Sequence, residues 1–377
     1  MDFTFATADR IILGSGSLAQ LPDLVAELGR TVLLVGGSDP TRHLGDVALN
    51  VVAQVSVSGE PTFDDARAAV AAAREAHADV VVAIGGGAVI DLAKATACLA
   101  QQDGDPIDYA EVIGGGRALA PTSLPLIAVP TTAGTGSEVT GNAVLASPEH
   151  QVKVSLRSPA MLPRVALIDP ALATTCPPEV SANAGMDALT QCIEPYVSRL
   201  ANPLTDALAL KGFSLAAGSL VRSLSHPDDL EHRELMATAA LCGGLALANA
   251  KLGAVHGLAA PIGGLTGAPH GAICAALLAE VTSVNITAML DREPTNPAIE
   301  RYRDLADATG NGRHLTALQE WLRTLNRHLE SPGLAELGLE EADHDRVATA
   351  ASRASSMQGN PIQLTHAEVL ACLAAAA

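Results

Sequence analysis

Hydrophobic positions divide this chain into two regimes. Between Thr31 and Val129, short apolar runs alternate with segments of helical period: TVLLV at 31–35, VVAQVSV at 51–57, DVVVAI at 79–84 and LPLIAV at 124–129 read as strands, and Leu18–Leu28, Phe63–Ala76 and Val89–Leu99 as helices. Runs with few polar interruptions belong to parallel strands covered on both faces. Strand, helix and strand in succession predict a doubly wound, Rossmann-like α/β domain. From about Pro177 the β-branched runs disappear. Long 3.6-residue periods at Leu204–Leu224, Leu230–Ala250 and Ile299–Ala308 then predict an all-helical second domain. The expected division is residues 1–174 and 175–377.

Composition narrows the picture. A length of 377 residues fits two domains, and with 2% aromatic residues and 33 glycines the cores must be built from Ala, Val, Leu and Ile. The lone Trp321 reads as a packing residue on a late helix. A net charge of -18 repels nucleic acid and anionic membrane surfaces. Six scattered cysteines without a CxxC pair read as reduced thiols of a cytoplasmic protein. The N-terminus has no basic segment followed by an apolar one, and no run of eighteen uncharged apolar residues follows, so neither secretion nor membrane insertion is expected.

Two loops carry candidate binding chemistry. The strand at 79–84 runs directly into Gly85, Gly86, Gly87 and Ala88 and then into a helix, an order that brings bare amides and the positive end of a helix dipole to an anion such as a pyrophosphate. The bland alternative is a tight turn that binds nothing, and GxGxxG is absent. Gly14 to Ser17 looks similar but reads as a simple turn. After the strand ending at Val129, the stretch Thr131, Thr132, Ala133, Gly134, Thr135, Gly136, Ser137 presents hydroxyls and glycines at a strand's C-terminal end. Ribose, phosphate or carboxamide groups bind there in open α/β sheets. The alternative is a polar loop capped by Thr135 or Ser137.

The helical half offers a different chemistry. His256 and His270 stand fourteen residues apart in small, apolar surroundings with a Gly- and Pro-containing turn between them. Each could be a core histidine satisfied by a carbonyl. Asp187 and Gln191, four apart, project from one face of another helix, which is also an ordinary helix-surface pair. Together the four could present two oxygens and two nitrogens to a divalent metal, leaving room for a substrate oxygen.

These motifs resemble those of the iron-containing (group III) alcohol dehydrogenases, whose relatives include maleylacetate reductase, glycerol dehydrogenase and dehydroquinate synthase. Gly85 to Lys94 (GGGAVIDLAK) resembles the family's GGGSxxDxAK with Ala88 for serine. Pro130 to Thr140 (PTTAGTGSEVT) resembles its nicotinamide-side loop, and Ala166 to Leu172 its domain-joining segment. The resemblance implies a dehydroquinate synthase-like architecture and hydride transfer between NAD or NADP and a small alcohol, aldehyde or ketone in an interdomain cleft. It implies a cofactor site at Gly37, Asp39, Gly85, Gly86, Gly87, Ala88, Asp91, Thr131, Thr132, Thr135, Ser137 and Lys153. It implies an Fe2+ or Zn2+ centre on Asp187, Gln191, His256 and His270, with both histidines catalytic, and a homodimer. Three departures stand out. Gln191 replaces a ligand histidine, Ala260 replaces the second histidine of HxxxH, and Gly37 replaces an acidic residue that would reject a 2′-phosphate. The rivals are a metal-independent reductase of keto acids or enoates like maleylacetate reductase, a lyase like dehydroquinate synthase, and a non-catalytic cofactor-binding protein.

Overall fold

The computed structural model describes residues 2–111 and 113–377 and resolves the chain into two compact units, Ala6–Cys176 and Pro177–Ala377, the second joined by the start of the chain up to Phe5. The first unit is α/β. Its elements in order are β1 (Arg10–Leu13), α1 (Leu21–Leu28), β2 (Val32–Gly36), β3 (Val51–Ser56), α2 (Phe63–Glu75), β4 (Val80–Gly85), α3 (Gly87–Leu99), β5 (Leu126–Pro130), β6 (Asn142–Ser147), β7 (Val152–Arg157) and β8 (Val165–Ile168). Six strands form one parallel sheet in the order β1-β8-β5-β4-β2-β3, while β6 and β7 make a separate antiparallel hairpin.

Strand alternation builds two cores. Leu33, Val35, Val81, Ala83 and Ala128 pack on one face with α2 and α3. Val32, Leu34, Val80, Val82, Ile127 and Val129 pack on the other with Leu21, Leu24 and Val25 of α1. Strands buried on both sides explain the unbroken apolar runs. The chain passes from β2 outward to β3, then returns to place β4 on β2's other side, so the winding direction reverses between β2 and β4. In register, Gly36 lies beside Ile84 and Gly85 beside Pro130. The loops after β2, β4 and β5 therefore share one edge of the sheet, at the reversal point where open α/β sheets bind ligands.

Local chemistry refines the expected elements. The segment from Leu18 begins as a 3-10 turn, Ser17–Gln20, and becomes α-helical only at Leu21, with Pro22 in its first turn. β1, β8 and the β6–β7 hairpin escape the apolar-run reading because four-residue strands and alternating half-buried strands lack a continuous apolar signal. Ala166 to Ile168 thus belongs to the sheet itself. The Gly14 to Ser17 turn is filled from within: Asp169 accepts from the Gly16 amide at 3.0 Å and the Leu18 amide at 3.1 Å. Gly16 has φ 82°, a left-handed conformation that favours glycine. Asp169→Asn should lower the α/β unit's stability by about 1–2 kcal/mol in urea unfolding, because a charged acceptor of several amides becomes neutral.

Pro177–Ala377 is helical among its secondary-structure elements: α4 (Pro178–Val197), α5 (Pro203–Ser225), α6 (Leu230–Ala250), α7 (Ala254–Thr266), α8 (His270–Arg292), α9 (Ala298–Ala308), α10 (Leu315–His328), α11 (His344–Ala351) and α12 (His366–Ala375). Trp321 of α10 meets Phe213 of α5 edge-on, ring centres 5.7 Å apart, in the packing role expected of it. By length and composition α5 and α8 could each cross a bilayer. In α8, 67% of the most apolar window is buried within the protein, against helices that include α4 and α7.

Candidate metal and cofactor sites

Helix geometry builds the first site. α4 carries Asp187, Gln191 and Glu194 on one buried face, their spacing of four and three bringing them into line. α6 and α7 meet at a bend of 97° at Lys251–Gly253, which turns the start of α7 onto that face. Glu194 fixes the entry: one oxygen accepts from the Val255 amide at 2.7 Å and the other from His256 Nδ1 at 2.7 Å. Gly253 suits this crossing, since a Cβ there would lie 2.8 Å from the Glu194 carboxylate and 2.9 Å from the Asn360 amide oxygen and would push both aside. α8 then starts at His270, and Gly271 allows close approach to the Asn183 carbonyl of α4.

The result is a convergence of donor atoms. His256 Nε2 stands 3.2 Å from Asp187 Oδ1, and His270 Nε2 3.8 Å from the same oxygen. The two imidazole centres are 5.3 Å apart. Asp187, His256, His270 and Cys274 each offer an atom within 4.8 Å of the others. Burial opposes charge on His256, but hydrogen bonds to Asp187 and Glu194 prevail and raise its pKa to about 10. Burial likewise opposes charge on Asp187, yet His256, the charge of His270 and a hydrogen bond from Gln191 hold it below the usual carboxylate range. The Gln191 Oε1 is buried without a partner. An orphaned acceptor beside an Asp, two His and a thiol is a donor set suited to a divalent cation, so the residues fit a metal. Ala260, one turn beyond His256, brings no titratable group.

Glu194 and Cys274 are the members that pattern reading passed over. Their signal is spacing alone, three residues after Gln191 and four after His270. Glu194 completes a carboxylate–histidine arrangement that sets His256's tautomer and aim. Glu194→Gln should weaken metal affinity about 10–100-fold, measured by chelator competition.

The second site lies on the α/β unit. Gly85, Gly86 and Gly87 link β4 to α3, but their reasons differ. A Cβ on Gly85 would lie 2.5 Å from Val89, and one on Gly87 2.6 Å from Thr135. On Gly86 it would meet nothing nearer than Thr132 at 3.5 Å. Packing explains the outer glycines and leaves Gly86 open at a helix N-terminus, the kind of position that could hold a diphosphate. Thr131 and Thr132 flank it, half-buried, and the Thr131 amide donates to the Gly85 carbonyl at 3.0 Å. Ala88 follows in the first turn of α3.

Other members of the expected cofactor set are occupied within the protein. Asp91 accepts from Ser137 Oγ and, at 3.0 Å, from the Val144 amide, and pairs with Lys94 at 3.0 Å. Lys94 is wholly buried and also donates to the Ser137 carbonyl and Thr140 Oγ1, both at 3.0 Å. Burial lowers its pKa against the pull of Asp91, and burial raises that of neighbouring Glu138. Asp91 and Ser137 thus clamp the Thr131–Ser137 loop to α3. Lys153 pairs with Glu60 at 3.1 Å. Gly37 has open space around it, and exposed Asp39 is held by Thr41, whose hydroxyl donates at 2.7 Å and lowers the carboxyl pKa.

Residues 8–170 match the iron-containing alcohol dehydrogenase family, and residues 181–377 its C-terminal domain family. The chain belongs to the iron-containing alcohol dehydrogenases. It is an oxidoreductase of alcohols and aldehydes, in a family that uses NAD(H) and a divalent metal. Over 357 residues it is 34% identical to 1,3-propanediol dehydrogenase of Klebsiella pneumoniae, covering 92% of this chain and 89% of that one. A crystal structure of 1,3-propanediol oxidoreductase superposes with TM-score 0.90 at 31% identity over the full length of both chains. Sulfoacetaldehyde reductase of Bifidobacterium kashiwanohense, solved with NAD+, gives TM-score 0.87 at 28% identity, covering 99% and 98%. The parallel sheet followed by a helical unit is the fold of this dehydrogenase family.

Proposed function

We propose that this dehydrogenase moves hydride reversibly between NAD(P)(H), bound at the loops after β2, β4 and β5, and a small alcohol, aldehyde or ketone, with a divalent metal on the helical unit. The observation that carries the reading is the convergence of Asp187, His256, His270 and Cys274, with the Gln191 Oε1 buried and unpartnered one turn along α4 from Asp187. When bound, the metal supplies Lewis acidity toward the substrate oxygen. Asp187 brings the charge that balances a cation in a buried site. Glu194 holds His256 so that Nε2 faces inward. With Ala260 in place of a proton-relaying histidine, the proton comes from water, the cofactor ribose or the substrate.

Gly86, Thr131 and Thr132 would cradle the diphosphate and ribose, with Thr135 shaping the loop from its contact with Gly87. With no carboxylate at Gly37, repulsion of a 2′-phosphate is left to exposed Asp39 two residues on, which supports use of NADP(H) as well as NAD(H). The reading extends to a cytoplasmic homodimer, tested by sedimentation and fractionation. The cytoplasmic part is supported by six cysteines that form no disulfide among the described residues.

Metal analysis of protein purified without chelator, combined with an NAD(P)H-oxidation screen of aldehydes and keto acids, tests it. Near-stoichiometric metal that is lost in His270→Ala, with aldehyde-dependent oxidation, is the expected result. Full activity on keto acids without metal would instead establish the maleylacetate reductase-like alternative.

A further inference from the structure

We propose that Cys274 is a metal ligand in this chain, supplying as a thiolate the donor that Gln191 does not, so that the centre is Asp187, His256, His270 and Cys274 and selects zinc. The proposal rests on the metal-assisted reading above and goes beyond it in naming the fourth ligand and the metal.

Position comes first. Cys274 follows His270 by one turn of α8, so both side chains leave the same face. Its side chain is fully buried, and Sγ lies 3.7 Å from His270 Nε2. A tetrahedral zinc bound at about 2.0–2.2 Å by N and O donors and about 2.3 Å by sulfur separates its ligand atoms by roughly 3.3–3.6 Å. Three of the six separations, 3.2 Å (Asp187 to His256), 3.8 Å (Asp187 to His270) and 3.7 Å (Cys274 to His270), need shifts of only tenths of an ångström, and the other three lie within 4.8 Å. Cys192, by contrast, donates toward the Ala239 carbonyl, away from this cluster.

Gln191 is engaged differently. Its amide donates to Asp187, which orients the carboxylate and leaves Oε1 buried and unpaired, an acceptor for a water or a substrate hydroxyl. Thiolate is a soft donor that suits zinc, while carboxylate and amide oxygen suit harder cations.

The test uses the full chain, stripped and reloaded with Co2+ and, separately, Zn2+. Cobalt should produce a thiolate-to-metal charge-transfer band in the near ultraviolet in the wild type and in Gln191→Ala. Cys274→Ser should lose the band and bind zinc at least about 10-fold more weakly. X-ray absorption on the zinc-loaded wild type needs no variant: one sulfur near 2.3 Å supports the proposal, and a shell of N and O alone near 2.0–2.1 Å overturns it. Stoichiometric cobalt that depends on His270 but shows no Cys274-dependent band overturns the ligand assignment and leaves the metal centre standing. A wild type that retains neither cobalt nor zinc sinks both.

Discussion

Replacing His256 with alanine is expected to lower the stability of the metal-free protein by about 3–5 kcal/mol at neutral pH and to abolish metal binding. The imidazole sits between two buried carboxylates, 3.2 Å from Asp187 and 2.7 Å from Glu194. Without it two negative groups face each other with no cation between them, the costliest way to break a buried pair. The pH dependence follows from the sign of the shift. The His256 pKa rises from 6.5 to about 10 on folding, so its contribution is fully present below about 6.5 and is lost as pH climbs through 10. Wild-type protein in chelator should therefore lose stability between pH 7 and 10, by up to about 1.4 kcal/mol per pH unit. His256→Ala should lack that slope. Denaturant midpoints measured across this range decide the matter, and an equal slope in both proteins would refute the charged assignment.

Gly86→Val is expected to cost at least about 100-fold in NAD(P)H affinity while leaving the fold intact, because two or more charge-assisted amide contacts to a diphosphate would be displaced. The protein itself has room for a Cβ at this position, with Thr132 no closer than 3.5 Å. Gly85→Val and Gly87→Val are the contrast: both collide with protein atoms, Val89 and Thr135, and should lower the thermal midpoint. Fluorescence titration of NADPH beside thermal unfolding separates the cases. A Gly86→Val protein that binds cofactor normally would place the diphosphate elsewhere.

The two sites differ in how far they could be read from the chain. At the Gly86 turn, strand, glycines and helix are contiguous, so their order alone assembles an amide cradle. Which glycine is left open to a ligand was invisible, because Val89 and Thr135 crowd Gly85 and Gly87 only in three dimensions. Asp91 and Ser137 share the motif with the cradle but turn inward to each other. At the metal site the two histidines and the Asp187 helix were legible as unusual polar residues in apolar company. Glu194 and Cys274 were not, since a Glu on a helix or a lone Cys among alanines has many commoner explanations.

By itself, then, the sequence determined the class of each half and most of the elements in it, because hydrophobic periodicity reports which local structure can bury its apolar face. It also determined the family, since contiguous loop motifs survive as text. Only the tertiary structure decided the strand order that gathers three loops at one sheet edge, and the bend before α7 that brings His256 onto α4. It alone put Glu194 and Cys274 beside residues 62 and 87 positions away, His256 and Asp187. The reason is physical: such contacts depend on how helices cross, and crossing is set by small residues such as Gly253 and Gly271 whose role shows only when the neighbouring backbone is in place.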